Sequence, residues 1–110
     1  MINFHDFEKV DIRVGTVINA ELNKKSSKPS FKIIIDFGNE IGVKKTSAQL
    51  TENYKSEDLI GLQIAAVINF PPKQIGQMIS EVLVLGFPDE NNKAILVMPS
   101  KKVKNGGKLF

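Results

Sequence analysis

Several residue types are scarce in this sequence, and each scarcity removes a class of site. The chain has no cysteine and a single histidine, His5. Disulfides, thiol nucleophiles and zinc sites built on thiolates are therefore excluded, and neither Ser47 nor Ser80 has a base near it in the sequence that would make it a nucleophile. We expect no catalytic residue, no metal site and no cofactor, and we predict that the protein is not an enzyme.

Long hydrophobic runs are also missing. No stretch approaches the ~20 apolar residues of a membrane helix, and residues 1–8 carry acids where a secretory signal would be basic and then apolar. We therefore expect a cytoplasmic chain that does not insert into membranes. Hydrophobic residues make up 42% of the 110 residues, which is enough to bury a core, and the length predicts one domain over residues 1–110.

Basic charge is present almost entirely as lysine, since Arg13 is the one arginine among 15 basic residues. The net charge of +3 is unevenly distributed. Residues 23–45 carry six basic and two acidic residues, and residues 101–110 carry four lysines and no acid. Such basic segments are typical either of solvated loops or of a surface that binds nucleic acid.

The first half of the chain alternates in hydrophobicity with the period of a strand. Residues 11–22 predict a long strand that bends at Gly15. A second strand is followed by Gly38-Asn39, a two-residue hairpin signal, and residues 40–46 then return with Ile41 and Val43 inward. The residues predicted to face the core are Ile12, Val14, Thr16, Ile18, Ala20 and Leu22 in the first strand and Phe31, Ile33, Ile35 and Phe37 in the second.

The second half predicts short helical turns over residues 47–61 and then further strands over residues 64–70, 79–85 and 94–98. The strand over residues 64–70 is nearly continuously apolar, which predicts that it is covered on both faces, and Pro71-Pro72 is predicted to end it. Turns are predicted at residues 86–92 and 105–107. This order predicts an all-β, five-stranded OB-fold Greek-key barrel with short helical segments and terminal extensions, although an SH3-like barrel or a split sandwich would look similar.

An OB-fold binds oligonucleotides on the face of its second and third strands and on the flanking loops. Lysines fall in these places, including Lys24 and Lys25 of the first loop. Asn69 and Ser80 stand at strand ends, where they either bond bases and sugars or cap backbone groups. The predicted nucleic-acid-binding residues are Lys28, Lys32, Lys44, Lys45, Asn69, Lys73 and Ser80.

Five segments together resemble the tRNA-binding domain family, and most closely its CsaA-like branch of secretion chaperones. They are residues 11–17, 35–38, 46–50, 69–76 and 80–86. The resemblance implies an OB-fold homodimer whose N-terminal helical segment and C-terminal extension form the contact. Two departures favour the chaperone branch: Gln74 follows Lys73 where the wider family often has two basic residues, and Val82-Leu83 follows Ser80-Glu81 where synthetase appendages differ.

The resemblance and the apolar ends of the chain define the expected partners. Aromatic residues close to both termini predict a dimer contact made by Phe4, Phe7, Leu109 and Phe110. The predicted function is that of an export-related chaperone that binds unfolded or precursor polypeptides, works with the export machinery and also binds tRNA. The alternative is a free-standing, structure-specific tRNA-binding protein.

Overall fold

The computed structural model describes residues 1–23 and 28–110. The elements are α1 (Phe4–Glu8), β1 (Ile12–Asn23), β2 (Ser30–Asp36), β3 (Val43–Ala48), α2 (Ser56–Leu59), β4 (Gln63–Val67), β5 (Lys73–Ile75), β6 (Met78–Ser80), β7 (Leu83–Val84), β8 (Gly86–Pro88) and β9 (Ala94–Leu96). A five-stranded antiparallel sheet with the strand order β3-β2-β1-β4-β7 curls into a half-barrel of the OB type. Three strands in sequence followed by a fourth that returns beside the first is a Greek key, so the predicted fold class is confirmed.

Helix α1 is stabilised by a reciprocal cap. The Asn3 side chain accepts the Asp6 N–H at 2.9 Å, and the Asp6 carboxylate accepts the Asn3 N–H at 3.0 Å. This capping box holds a five-residue helix that would be marginal alone. Neither helix in the described residues is long and apolar enough to cross a membrane.

Strand β1 contains a bulge that reverses its alternation. Val17 pairs with Ile35 and Asn19 pairs with Ile34, so Ile18 is an extra residue. Val17 faces the core before the bulge and Ala20 after it, whereas Ile18 is 48% exposed. The predicted inward face of β1 is therefore wrong before the bulge, where Gly15 and Val17 face the core in place of Val14 and Thr16, because one inserted residue exchanges the two faces of a strand. Leu22, predicted to face the core, is also 50% exposed.

Strand β2 follows its prediction, but the return to β3 does not. Phe31, Ile33, Ile35 and Phe37 are all buried. The connection is not a two-residue hairpin, because the Phe37 N–H donates to the Gly42 carbonyl at 3.0 Å and four residues lie between them. Strand β3 consequently begins at Val43, which is 55% exposed, and Thr46 faces the core. The expectation that Val43 points inward is wrong.

In the second half, the strand predicted over residues 64–70 is confirmed only in part. Residues 64–67 are buried in β4, but the strand ends at Val67, before Pro71-Pro72, and Phe70 is 53% exposed. The helical turn is also present as α2, and its Leu59 is fully buried. The single strand predicted over residues 79–85 is divided into β6 and β7. The pattern missed β5 and β8, which pair with β6 and β9 in two hairpins.

The C-terminal residues 101–110, here called the C-terminal strap, run beside the first part of β1. The Gly106 N–H donates to the Val14 carbonyl at 2.8 Å, and the Val14 N–H donates to the Gly107 carbonyl at 3.1 Å. Pairing of β1 with β2 begins only at Thr16. The strap therefore occupies the edge of β1 that β2 leaves open, and it satisfies backbone groups there.

Candidate nucleic-acid interface

The surface expected to bind nucleic acid is the outer side of strands β2 and β3. Cross-strand pairs place Lys32 opposite Ser47 and Ile34 opposite Lys45 on this side. Lys32 and Lys45 are exposed, and they lie diagonally across the two strands. Their ammonium groups project from the same surface, called here the β2–β3 face, whose residues are Lys32, Ile34, Asp36, Val43, Lys45 and Ser47.

Lys44 does not join this surface. It pairs with Ile35, whose side chain is fully buried in the core, and successive residues of a strand point to opposite faces. Lys44 therefore lies on the core side of β3, where its stem is half-buried at the edge of the half-barrel. The structure brings together Lys32 and Lys45 and separates Lys44 from them.

The loop before β2 is described only in part. Lys28 is exposed and stands two residues before β2 begins at Ser30. Lys24 and Lys25 lie outside the described residues. Lys28 therefore adds a positive charge at the entry of β2, on the loop where the sequence placed it.

The half-barrel is closed against β3 by residues 80–82, largely through side chains. The Ser47 N–H donates to the Ser80 hydroxyl at 2.9 Å, and the Lys45 N–H donates to a Glu81 carboxylate oxygen at 3.0 Å. The Thr46 hydroxyl donates to the Val82 carbonyl at 2.7 Å. Ser80 is thus buried with a structural partner, and it pairs in the β5–β6 hairpin with the exposed Lys73.

A cleft of about 290 Å³ opens beside this closure. Phe70 at its margin is 53% exposed, so its ring is accessible to a ligand in the cleft. The apolar lining, called here the apolar cleft, can receive the face of a base or an apolar side chain. Its lining residues are Phe70, Pro71, Ile75, Val82 and Leu83, with Thr46, Ser47, Lys73, Ser80 and Glu81 supplying polar groups.

Asn69 has both ends of its amide engaged by backbone. Its Nδ2 donates to the Lys9 carbonyl at 2.8 Å, and its Oδ1 accepts the Asp11 N–H at 3.0 Å. The side chain therefore fastens the segment between α1 and β1 to the end of β4. Capping of backbone groups, one of the two alternatives for Asn69, is what the structure shows.

Direct ion pairing is sparse in the described part of the chain. Within residues 1–23 and 28–110, the one ion pair joins Arg13 to Asp11 at 2.6 Å. The ammonium groups of Lys32, Lys45 and Lys73 thus form no ion pair with a carboxylate, and their charge is available to an anionic ligand. No cluster of His, Asp and Glu suited to a metal ion occurs within those same ranges.

The four residues predicted to form a dimer contact meet at one place. Phe4 and Phe7 lie with ring centroids 6.0 Å apart, and Leu109 and Phe110 line the same small cavity of about 150 Å³. Phe4 is 69% exposed, and Phe110 is open to solvent. Both ends of the chain thus contribute to one exposed apolar patch, called here the terminal patch.

A half-barrel of this topology, with unpaired lysines on its β2–β3 face beside an apolar cleft, is an OB-type binding module. The family model described as "Putative tRNA binding domain" matches residues 12–108. The chain therefore belongs to the tRNA-binding domain family.

Solved structures of similar proteins cover the whole chain. Chaperone CsaA from Bacillus anthracis str. Ames is 48% identical with a TM-score of 0.94, over 100% of this chain and 99% of that chain. The CsaA chaperone protein from Picrophilus torridus is 46% identical with a TM-score of 0.93, over 100% of both chains. Among curated proteins, methionine–tRNA ligase from Methanococcoides burtonii is 39% identical over 96% of this chain, which spans 15% of that ligase.

Proposed function

We propose that this chain binds tRNA through the β2–β3 face and the loops beside it. The observation that carries the proposal is the exposure of Lys32 and Lys45 on one face of the half-barrel, with Lys73 beside the apolar cleft and no ion pair at any of the three ammonium groups. Family membership supports the same ligand. A tRNA ligand would place the protein in the cytoplasm, and we take residues 1–110 to act as one domain.

Recognition by charge and shape fits this surface better than base stacking. Phe31 and Phe37 are buried in the core, and the Tyr54 hydroxyl accepts the Leu96 N–H at 3.1 Å, so these rings are engaged within the protein. Phe70 is the aromatic side chain at the cleft. One exposed ring can stack with one base, whereas lysines contact phosphates in any sequence. We therefore expect preference for folded tRNA over an unstructured homopolymer of equal length.

The test is a binding titration at two salt concentrations with two matched triple variants. The first variant, called here the β2–β3 variant, changes Lys32, Lys45 and Lys73 to Ala. The second, called here the control variant, changes the exposed Lys9, Lys55 and Lys93 to Ala, so that both lose three positive charges. Each lost phosphate contact lowers the slope of log affinity against log salt by ~0.9 or less. The first variant should bind tRNA at least about tenfold more weakly at low salt. Equal binding by both variants would refute this assignment of the surface.

Polypeptide binding is a second candidate function, and the apolar cleft favours it. Phe70 and Leu83 are each about half exposed there, and an extended chain could place an apolar side chain between them. The similarity to two CsaA chaperones over the whole chain supports this candidate. In this role the protein would hold unfolded or precursor polypeptides for export.

Homodimerisation is proposed for the terminal patch. Phe4, Phe7, Leu109 and Phe110 form one exposed apolar surface drawn from both ends of the chain. A second copy presents the same apolar surface, so a two-fold contact would bury both patches against each other. Burial of such a surface is favourable at about 25 cal/mol per Å² of apolar area.

A further inference from the structure

The C-terminal strap carries an exposed cluster of lysines that the proposed β2–β3 face does not use. Lys101, Lys102 and Lys104 are exposed, and residues 101–110 contain no acidic residue. None of the three is ion-paired within residues 1–23 and 28–110. Lys108 differs from them, because its ammonium donates to the Glu8 carbonyl at 3.2 Å.

The backbone on both sides of Lys104 is fixed by a polar clamp. Gln63 Nε2 donates to the Val103 carbonyl at 2.6 Å, and the Val103 N–H donates to Gln63 Oε1 at 2.9 Å. The Asn105 side-chain oxygen accepts from the Thr16 hydroxyl at 2.8 Å and from Gln63 Nε2 at 3.0 Å. Residues on both sides of Lys104 are therefore held to β1 and β4, and its backbone loses little freedom when a ligand binds.

The strap lies against the turn that connects β2 to β3. A cleft of about 620 Å³ is lined by residues 37–41 on one side and 104–107 on the other. At Gly106 the two backbones approach so closely that an added Cβ would stand 2.6 Å from the Phe37 carbonyl oxygen. Lys104 is thus near the end of the β2–β3 face, across a short turn, and Lys102 and Lys101 precede it by two and three residues in the strap.

Acidic residues separate the two basic surfaces. Asp36 belongs to the β2–β3 face at its turn end, and the exposed Glu40 lines the cleft together with Lys104. A short oligonucleotide that lies along the β2–β3 face would meet unfavourable charge before it reached the strap. A large folded polyanion presents phosphates at several separated points and can contact both surfaces without passing through the acidic region.

We propose that Lys101, Lys102 and Lys104 form a second phosphate-binding surface, which a folded tRNA contacts at the same time as the β2–β3 face. This proposal rests on the proposed function. When one rigid ligand binds two surfaces of the same protein, binding at one surface raises the effective concentration of the ligand at the other. Single-stranded oligonucleotides of about five nucleotides, a length within the site size of one OB-fold, bind the β2–β3 face alone.

The test uses three variants, each lacking three lysines, and two RNA ligands. The strap variant changes Lys101, Lys102 and Lys104 to Ala, and it is compared with the β2–β3 variant and with the Lys9, Lys55 and Lys93 control. We expect the strap variant to bind tRNA about 10-fold to 100-fold more weakly at low salt, with a salt slope lowered by about two to three. Its affinity for the pentanucleotide should equal that of the wild type.

The outcomes separate this inference from the proposed function. If the β2–β3 variant loses tRNA binding and the strap variant matches the control, the second surface is refuted and the first stands. If the strap variant loses affinity for tRNA and the pentanucleotide equally, the lysines act through the general field of the protein, and the second contact is again refuted. A wild type that does not bind tRNA overturns both proposals. Circular dichroism of each variant checks that the fold is retained.

Discussion

Replacement of Gly15 by Ala tests the packing of the half-barrel most directly. A Cβ added at Gly15 would stand 2.6 Å from Ile35 Cγ2 and 2.8 Å and 2.9 Å from two ring atoms of Phe37. Carbon atoms in contact prefer about 3.5–4.0 Å. Ile35 and Phe37 are 0% and 1% exposed, so neither side chain can move into solvent to make room. The methyl group must therefore be accommodated by shifting β1 or β2.

Gly15→Ala should lower the free energy of unfolding by an amount at the upper end of the range known for overpacked cores. Extra methyl groups in a tight core cost about 1–3 kcal/mol, and we expect about 3 kcal/mol for Gly15→Ala because both neighbours are fully enclosed. At about 4 °C per kcal/mol for a chain of this size, the melting temperature should fall by about 12 °C. Urea unfolding and thermal circular dichroism measure the two quantities.

Gly107→Ala is the matched control, because it adds the same methyl group without a clash. The nearest atoms to a Cβ at Gly107 are the Lys104 carbonyl oxygen at 3.6 Å and Val14 Cγ1 at 3.8 Å, which are ordinary contacts. Its stability should stay within about 1 kcal/mol of the wild type, because the lost freedom of the unfolded chain offsets any small strain. If Gly15→Ala were as stable as this control, the steric explanation of Gly15 would be refuted.

Three further predictions concern charge and partners. The pKa of Asp89 is lowered, first by the hydrogen bond from the Lys93 N–H and then by that from the Asn53 side chain, so Asp89→Asn should destabilise the protein at neutral pH. The contribution of the ionised Asp89 is present above the unfolded pKa of about 3.9 and is lost as the pH falls through the lower folded pKa. Urea unfolding should therefore show that the stability difference between wild type and Asp89→Asn shrinks below about pH 4. Suppression of aggregation of an unfolded client should persist in the β2–β3 variant and at high salt but weaken in Phe70→Ser, since salt does not screen the burial of apolar surface. Loss of this activity in the β2–β3 variant with full activity in Phe70→Ser would exclude the apolar cleft as the client site. Deletion of residues 1–8 should shift sedimentation equilibrium from dimer toward monomer, and a wild type that is monomeric at micromolar concentration would remove the dimer proposal.

Strand β2 was predictable from the sequence and the burial of β1 was not, for a physical reason. All inward residues of β2 are large and apolar, so its alternation has one interpretation. In β1, apolar residues occur on both faces. Val14 lies next to the strap, which pairs with its backbone, and the bulge leaves the apolar Ile18 exposed. Alternation alone cannot reveal a bulge whose extra residue is itself apolar.

The site was predictable in composition but only partly in arrangement. Lys44 and Lys45 are adjacent, so only one of them can point outward from a strand, and the longer turn between Phe37 and Gly42 decides that it is Lys45. Gly42 has a positive φ of 85°, and a second glycine four residues after Gly38 was the available signal for that turn. The Asn69 contacts with residues about 60 positions earlier depend on tertiary structure and have no local signature.

The arrangement of Phe70 and Lys73 connects the two candidate functions. Two prolines separate these residues, and each proline fixes its own φ near −65°, so the ring and the ammonium stem leave a stiff segment on the same cleft. Across the cleft, Ser80 and Glu81 cannot move freely, because their side chains close the half-barrel against the N–H groups of β3. The cleft thus has walls of fixed backbone, with the Phe70 ring on one of them and the exposed Lys73 ammonium beside it. A phosphate beside an unstacked base would use both features, whereas an apolar side chain of an extended polypeptide needs only the apolar wall, which is why charge-removing and apolar-removing variants distinguish the two ligands.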